Sequence, residues 1–74
     1  EKIGKFFKVE EATLSEDGTY VTVINTKESL VATIDKKANK NFAEIKAGDN
    51  LMLWYDMMTM SLPARTNANK VVVL

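Results

Sequence analysis

Short runs of β-branched, aromatic and other apolar residues alternate along this chain with short polar runs rich in Gly, Asn, Asp and Ser. The polar runs are SEDGT (15–19), NTKES (25–29), DKKANKN (35–41), KAGDN (46–50) and PARTNAN (63–69). Strand-length apolar runs bounded by such turn signals are typical of small β-sandwiches and barrels. The pattern therefore predicts an all-β domain.

Four of the apolar runs predict strands: TYVTVIN (19–25), LVATID (30–35), LMLWYD (51–56) and KVVVL (70–74). In the first run Val21 and Val23 occupy alternate positions, so we expect both to face inward. A shift of one residue would bury Tyr20 and Ile24 instead. Residues 65–69 are expected to form a polar connection into the last strand.

The first segment, KIGKFFKVEEATL (2–14), is ambiguous between helix and strand. Its apolar spacing also fits one face of a helix. However, Gly4 weakens a helix and the β-branched Val9 favours extension. We expect a long bent strand with Phe7 and Val9 facing inward and a bulge near residues 10–11.

The predicted fold class is all-β, a small five-stranded OB-like barrel with at most one short helix between strands 3 and 4. That helical turn is expected within residues 39–45, with Phe42 and Ile45 as its core contacts. Closure of the sheet would remove edges that a small β-protein tolerates poorly. The expected core consists of Phe7, Val9, Val21, Val23, Ile45, Leu51, Leu53, Met58, Met60 and Val72.

A chain of 74 residues is near the lower size for a self-supporting core, so residues 1–74 are predicted to be a single domain. The chain begins with Glu1 and ends on an apolar strand, and we expect it to be excised from a longer protein. No apolar run approaches the roughly 18–20 residues that span a bilayer, so no membrane insertion is expected.

Histidine and cysteine are both absent, which removes the commonest general base and the commonest metal ligands. Ser15, Ser29 and Ser61 therefore have no histidine to activate them. Adjacent carboxylates on a strand point to opposite faces and do not form an acid/base pair. The sequence predicts no enzyme activity, no cofactor and no metal.

The run MMTM (57–60) bears on the prediction of no metal, because thioethers can bind Cu(I). On a strand Met57 points away from Met58 and Met60, so only two thioethers converge. We predict instead that Met58, Met60 and Leu62 fill the core, as flexible methionines often do. Pro63 would then end the strand, because proline cannot donate to a sheet ladder.

Three aromatic residues, Tyr20, Trp54 and Tyr55, form a candidate ligand-stacking surface for bases or sugars. Trp54 and Tyr55 are adjacent and are expected on opposite faces of their strand. Ten basic and ten acidic residues cancel, and there is no arginine-rich stripe. This balance disfavours nucleic acid as a partner, because phosphate contacts supply most non-specific affinity.

The segment IKAGDNLMLWYDMMTMSLPARTNANKVVVL (45–74) resembles the C-terminal half of a small β-barrel module. Such modules occur in secreted and cell-wall proteins of Clostridium-like Firmicutes, often beside a domain named after the N-terminal domain of copper amine oxidase. The matching features are the lead-in at residues 45–49, the Trp54–Tyr55 pair, the run at 58–63, Ala68 and the valines at 71–73. The resemblance implies an extracellular or cell-wall-associated accessory module and supplies no catalytic residues.

The predicted function is a non-catalytic accessory, spacer or ligand-binding module of a secreted or surface-attached bacterial protein. The expected partners are other domains of the parent chain, a cell-wall glycan or another protein, and the module is expected to be a monomer. The alternative is an oligonucleotide-binding OB domain of a cytoplasmic protein. The neighbouring domains in the full-length gene would discriminate between the two.

Overall fold

The computed structural model describes residues 4–74, so residues 2 and 3 of the predicted first strand lie outside it. Within this range the chain forms six β-strands and one short 3-10 helix, η1. The elements are β1 (Lys5–Lys8), β2 (Glu11–Leu14), β3 (Tyr20–Asn25), β4 (Leu30–Asp35), η1 (Phe42–Glu44), β5 (Asn50–Met58) and β6 (Ala64–Val73). No helix in the described range is long and apolar enough to cross a membrane.

The strands form one sheet in the order β1-β5-β6-β4-β3-β2. Neighbouring strands are antiparallel except β4 and β6, which are parallel. The two edge strands, β1 and β2, are separated only by Val9 and Glu10, so the sheet curls round until its edges belong to one bent segment. The predicted small all-β barrel is confirmed.

The strand count differs from the predicted five because the first strand is interrupted at its bend. The Val9 N–H donates to the Asp49 carbonyl at 2.9 Å, whereas the next N–H, on Glu10, donates to Ile24 at 3.0 Å. The chain therefore changes its pairing from the β5 side to the β3 side between two consecutive residues. The break lies beside the predicted bulge, and β1 and β2 counted together restore the five-strand order of an OB-like barrel.

Residues at the end of β3 and in the turn after it hold this bend. Asn25 is buried, and its Nδ2 donates to the Lys8 carbonyl at 2.9 Å. The Glu10 Oε1 accepts hydrogen bonds from the N–H and the hydroxyl of Thr26, at 3.0 and 2.8 Å. The bend is thus tied to Asn25 and Thr26 by hydrogen bonds.

The core lies inside the curled sheet. Seven predicted core residues are buried: Phe7, Val9, Val21, Val23, Ile45, Leu51 and Leu53. Leu30, Ala32, Ile34, Ala38, Phe42, Ala68 and Val71 complete the cluster. Val21 and Val23 face inward as expected, and η1 lies within the predicted residues 39–45 with Phe42 buried.

Val72 was expected in the core but is exposed, and Val71 is buried in its place. The reason is a register shift in β6, where Lys70 pairs with Trp54 but Ala68 pairs with the next residue, Tyr55. Asn69 is therefore an extra residue that reverses the alternation after the buried Thr66 and Ala68. Strict alternation would have turned Val72 inward.

The predicted polar connection at residues 65–69 is also wrong, because these residues belong to β6. Their strand pairs with β4 on one side and with β5 on the other. The polar composition of the segment resembles a turn, but Thr66 and Ala68 are small enough to pack inward. Pairing on both sides outweighs the weak local propensity.

Candidate functional site

The predicted stacking residues do not lie together. Tyr20 opens β3 and is exposed, while Trp54 lies in β5, and β4 and β6 separate these two strands. Tyr55 turns inward and packs against the core cluster. Trp54 and Tyr55 thus occupy opposite faces of β5 as expected, and a stacking role for any of the three residues stays a prediction.

Trp54 uses part of its indole surface within the fold. A Cβ on Gly4 would lie 2.8 Å from Cε2 and Cζ2 of the indole, so the ring packs directly on the glycine backbone. The Lys70 Nζ lies 5.0 Å from the ring centroid, within the range of a cation–π contact. The indole is therefore held between its neighbours on the outer face of the sheet.

The most exposed apolar side chains of the described chain lie together in residues 57–63, which we call the methionine loop. Met57 is 80% exposed, Met60 is 100% exposed and Leu62 is 88% exposed. The loop comprises the last two residues of β5 and the connection to β6, and its Leu62–Pro63 peptide bond is cis. Three large apolar side chains with so much exposed surface call for an explanation other than core packing.

The polar side chains of the methionine loop bond to the loop itself. The Thr59 and Ser61 hydroxyl oxygens are 2.7 Å apart, and Ser61 Oγ donates to the Pro63 carbonyl at 2.9 Å. The Thr59 oxygen also accepts the Arg65 N–H at 2.9 Å. The hydroxyls thus brace the loop while the apolar side chains point to solvent, which inverts the usual arrangement.

Both ends of the loop are attached to the barrel. The Thr66 hydroxyl donates to the Met57 carbonyl, and the Thr59 N–H donates to the Arg65 carbonyl at 2.9 Å. Immediately after the loop, the Ala64 N–H donates to the Ser29 carbonyl in the turn between β3 and β4, at 2.8 Å. These contacts give the loop a defined position on the barrel.

The prediction that Met58, Met60 and Leu62 fill the core is wrong. Met58 is opposite the inward-facing Thr66 but is still 37% exposed, because β5 becomes irregular between Tyr55 and Met58 and ends there. Larger aliphatic residues from the middle of the strands already fill the interior. A sequence signal for the loop exists in Thr-x-Ser-x-Pro, since hydroxyls two residues apart before a proline can brace a turn.

Three carboxylates with lowered pKa values lie in turns and bends outside the methionine loop. Hydrogen bonds from Thr26 lower the pKa of Glu10. Hydrogen bonds from Thr19 and Ser15 lower the pKa of Asp17. The Lys46 N–H lowers the pKa of Asp49. None of the three lies in the methionine loop, whose residues carry no charge. Among residues 4–74 no three His, Cys, Asp or Glu side chains form a group that could hold a metal ion.

A concavity of about 440 Å³ lies between the η1 region and the end of β6. Two of its polar side chains, Asn39 and Asp49, make hydrogen bonds within the fold. Asn39 donates to the Val71 carbonyl at 2.9 Å and accepts the Asn41 N–H at 2.8 Å, and Asp49 accepts the Lys46 N–H at 3.0 Å. These two side chains serve the fold, and the methionine loop, with its more exposed apolar side chains, is the better candidate site.

Comparisons with protein-family models, with curated proteins and with solved structures give no match to this chain.

Proposed function

We propose that this domain is a non-catalytic accessory module of a secreted or surface-attached bacterial protein, and that it binds an apolar protein surface through the methionine loop. The observation that carries the proposal is the near-complete exposure of Met60 and Leu62 on a loop braced by its own hydroxyls. The resemblance of residues 45–74 to modules of secreted and cell-wall proteins supports the setting.

Energetics favour a contact role for this loop. Burial of a large apolar side chain contributes roughly 1.5–3 kcal/mol, so Met57, Met60 and Leu62 together offer a substantial driving force for association. The bracing by Thr59 and Ser61 reduces the loss of conformational freedom on binding. Methionine side chains also adapt their shape to a partner surface.

The chemistry of the loop favours protein over other ligands. Residues 57–63 contain no aromatic ring for stacking a sugar or a base, and no cation for a phosphate. Beside the loop lies a cavity of about 270 Å³ lined by Met57, Met58, Thr59, Arg65, Thr66 and Asn67. A side chain of the partner would enter this cavity while the loop tip packs on the partner's surface.

The partner we propose is another domain of the parent chain, so the test uses the remainder of the full-length gene product as the binding probe. Calorimetry should show binding by the isolated 74-residue module. The Met60→Ser/Leu62→Ser variant should bind at least tenfold more weakly. Both side chains are exposed in the free module, so their replacement should leave its fold intact.

Leu14→Ser is the matched control, because Leu14 is a partly exposed leucine in β2, outside the loop. Its affinity should stay within about twofold of the wild type. Equal binding by the loop variant and the control would contradict the proposal. Binding of a 12-nucleotide single strand with NMR shift changes at Tyr20 would instead support the oligonucleotide alternative.

A further inference from the structure

We propose that Met57 and Met60 form a modification site at which a peroxide oxidises the thioethers to sulfoxides and so prevents docking of the methionine loop. This inference rests on the proposed function, because it describes the regulation of the same surface. The inference is carried by the position of the two thioethers, which are exposed in the methionine loop and take no part in the hydrogen bonds that brace it.

The chain contains four methionines, and their exposure differs widely. Met60 is fully exposed and Met57 nearly so, whereas Met58 is only partly exposed. Met52 is half-buried on the outer face of β5, and its methyl group would lie 3.0 Å from a Cβ on Gly4. Susceptibility to oxidation follows access, so Met57 and Met60 should react faster than the less exposed Met58 and Met52.

The chemical step is an oxygen transfer. The sulfur lone pair attacks one oxygen of hydrogen peroxide, the O–O bond breaks, and an S–O bond forms. The second oxygen leaves as hydroxide, which takes up the remaining proton to become water. The sulfur is oxidised by two electrons, the peroxide is reduced by two, and no residue of the protein is needed as a cofactor.

The fold should tolerate this change. The bonds that brace the loop come from the Thr59 and Ser61 hydroxyls and from the Thr66 hydroxyl to the Met57 carbonyl. None of these bonds uses a thioether. A sulfoxide is polar, so oxidation replaces two apolar side chains of the methionine loop with hydrated ones, and the barrel stays folded.

The first experiment treats the isolated module with hydrogen peroxide and follows each methionine by peptide mass spectrometry. Met60 and Met57 should oxidise at least tenfold faster than Met52, and the melting temperature should change by less than about 2 °C after both are modified. Oxidation of Met52 or Met58 at the same rate as Met60 would overturn the inference, and so would unfolding on oxidation of the tip.

The second experiment measures binding of the oxidised module to the remainder of the full-length gene product. Affinity should fall at least tenfold and should return after treatment with methionine sulfoxide reductases of both stereospecificities. The Met52→Leu variant, which keeps both tip methionines, should lose affinity on oxidation as the wild type does. In Met57→Leu/Met60→Leu, peroxide should change the affinity by less than twofold, whatever its starting value.

The outcomes separate the two proposals. If the unoxidised module does not bind, docking by the loop is wrong and the regulatory inference falls with it. If it binds but oxidation of Met57 and Met60 leaves the affinity unchanged, the regulatory inference alone is wrong.

Discussion

Asp17 shows how a single exposed carboxylate organises a hairpin turn. It accepts hydrogen bonds from the Ser15 hydroxyl at 2.8 Å, the Thr19 hydroxyl at 2.8 Å and the Thr19 N–H at 3.1 Å. Gly18, with φ of +73°, supplies the left-handed residue that the turn requires. The hydrogen bonds favour the charged carboxylate, and the pKa of Asp17 is lowered from its ordinary value of 3.8.

We predict a pH dependence with a definite sign at this residue. A group whose pKa is depressed in the folded state stabilises the fold above its unfolded pKa, and that contribution is lost as the pH falls through the folded pKa. The stability advantage of the wild type over Asp17→Asn should therefore be constant near neutral pH and shrink below about pH 4. Urea unfolding across this range measures the difference, and a ¹³C titration midpoint of Asp17 at or above 3.8 would refute the account.

Individual residues also show which parts of the core the sequence could predict. The burial of Val21 and Val23 was predicted from simple alternation. The same rule predicted that Trp54 and Tyr55 lie on opposite faces of β5. The exposure of Val72 did not follow from alternation, because the extra residue Asn69 reverses the alternation within β6. A bulge of this kind arises from pairing with a distant strand and leaves little local trace in the sequence.

Among the elements, the bend between β1 and β2 depends on the side chain of the last residue of β3. Asn25 donates to the Lys8 carbonyl and accepts the Glu28 N–H at 3.0 Å, and it is buried. Asn25→Ala would remove two partly buried hydrogen bonds, each contributing about 0.5–1.5 kcal/mol, so the expected loss is about 1–3 kcal/mol. We expect that loss in the free energy of unfolding by chemical denaturation.

Asn67→Ala is the matched control, because Asn67 is an exposed asparagine within β6. Its effect should stay within about 0.5 kcal/mol, as expected for a surface substitution. Equal losses in the two variants would show that Asn25 does not secure the bend.

Elements whose signal is local were predicted well, and those that depend on distant pairing were not. β3 and β4 have β-branched alternation and clear turns at both ends, and η1 follows a polar run. The first half of β6, with the composition of a turn, is a strand because β4 and β5 pair with it on both sides. The exposure of the methionine loop was not predicted, because its apolar residues have the composition of a core.

For the whole molecule, stability depends on the small interior and not on the methionines. Leu53 is fully buried between β1 and β6 partners, and Leu53→Ala should cost about 2–5 kcal/mol through lost burial and a cavity. That is a large part of the roughly 5–15 kcal/mol that stabilises a typical domain. Met60→Ala should change stability by less than about 0.5 kcal/mol. Comparable losses in the two variants by thermal or urea unfolding would place Met60 in the core after all.

We propose that the methionine loop is a contact surface that stays in solvent until a partner covers it. The most direct test is NMR of ¹³C-methyl methionines with a soluble paramagnetic probe, applied to the isolated module and to the full-length protein. In the module, the Met60 and Met57 signals should broaden strongly and the Met52 signal weakly. In the full-length protein, the Met57 and Met60 signals should become protected while Met52 is unchanged. Equal broadening of Met57 and Met60 in both samples would contradict the account.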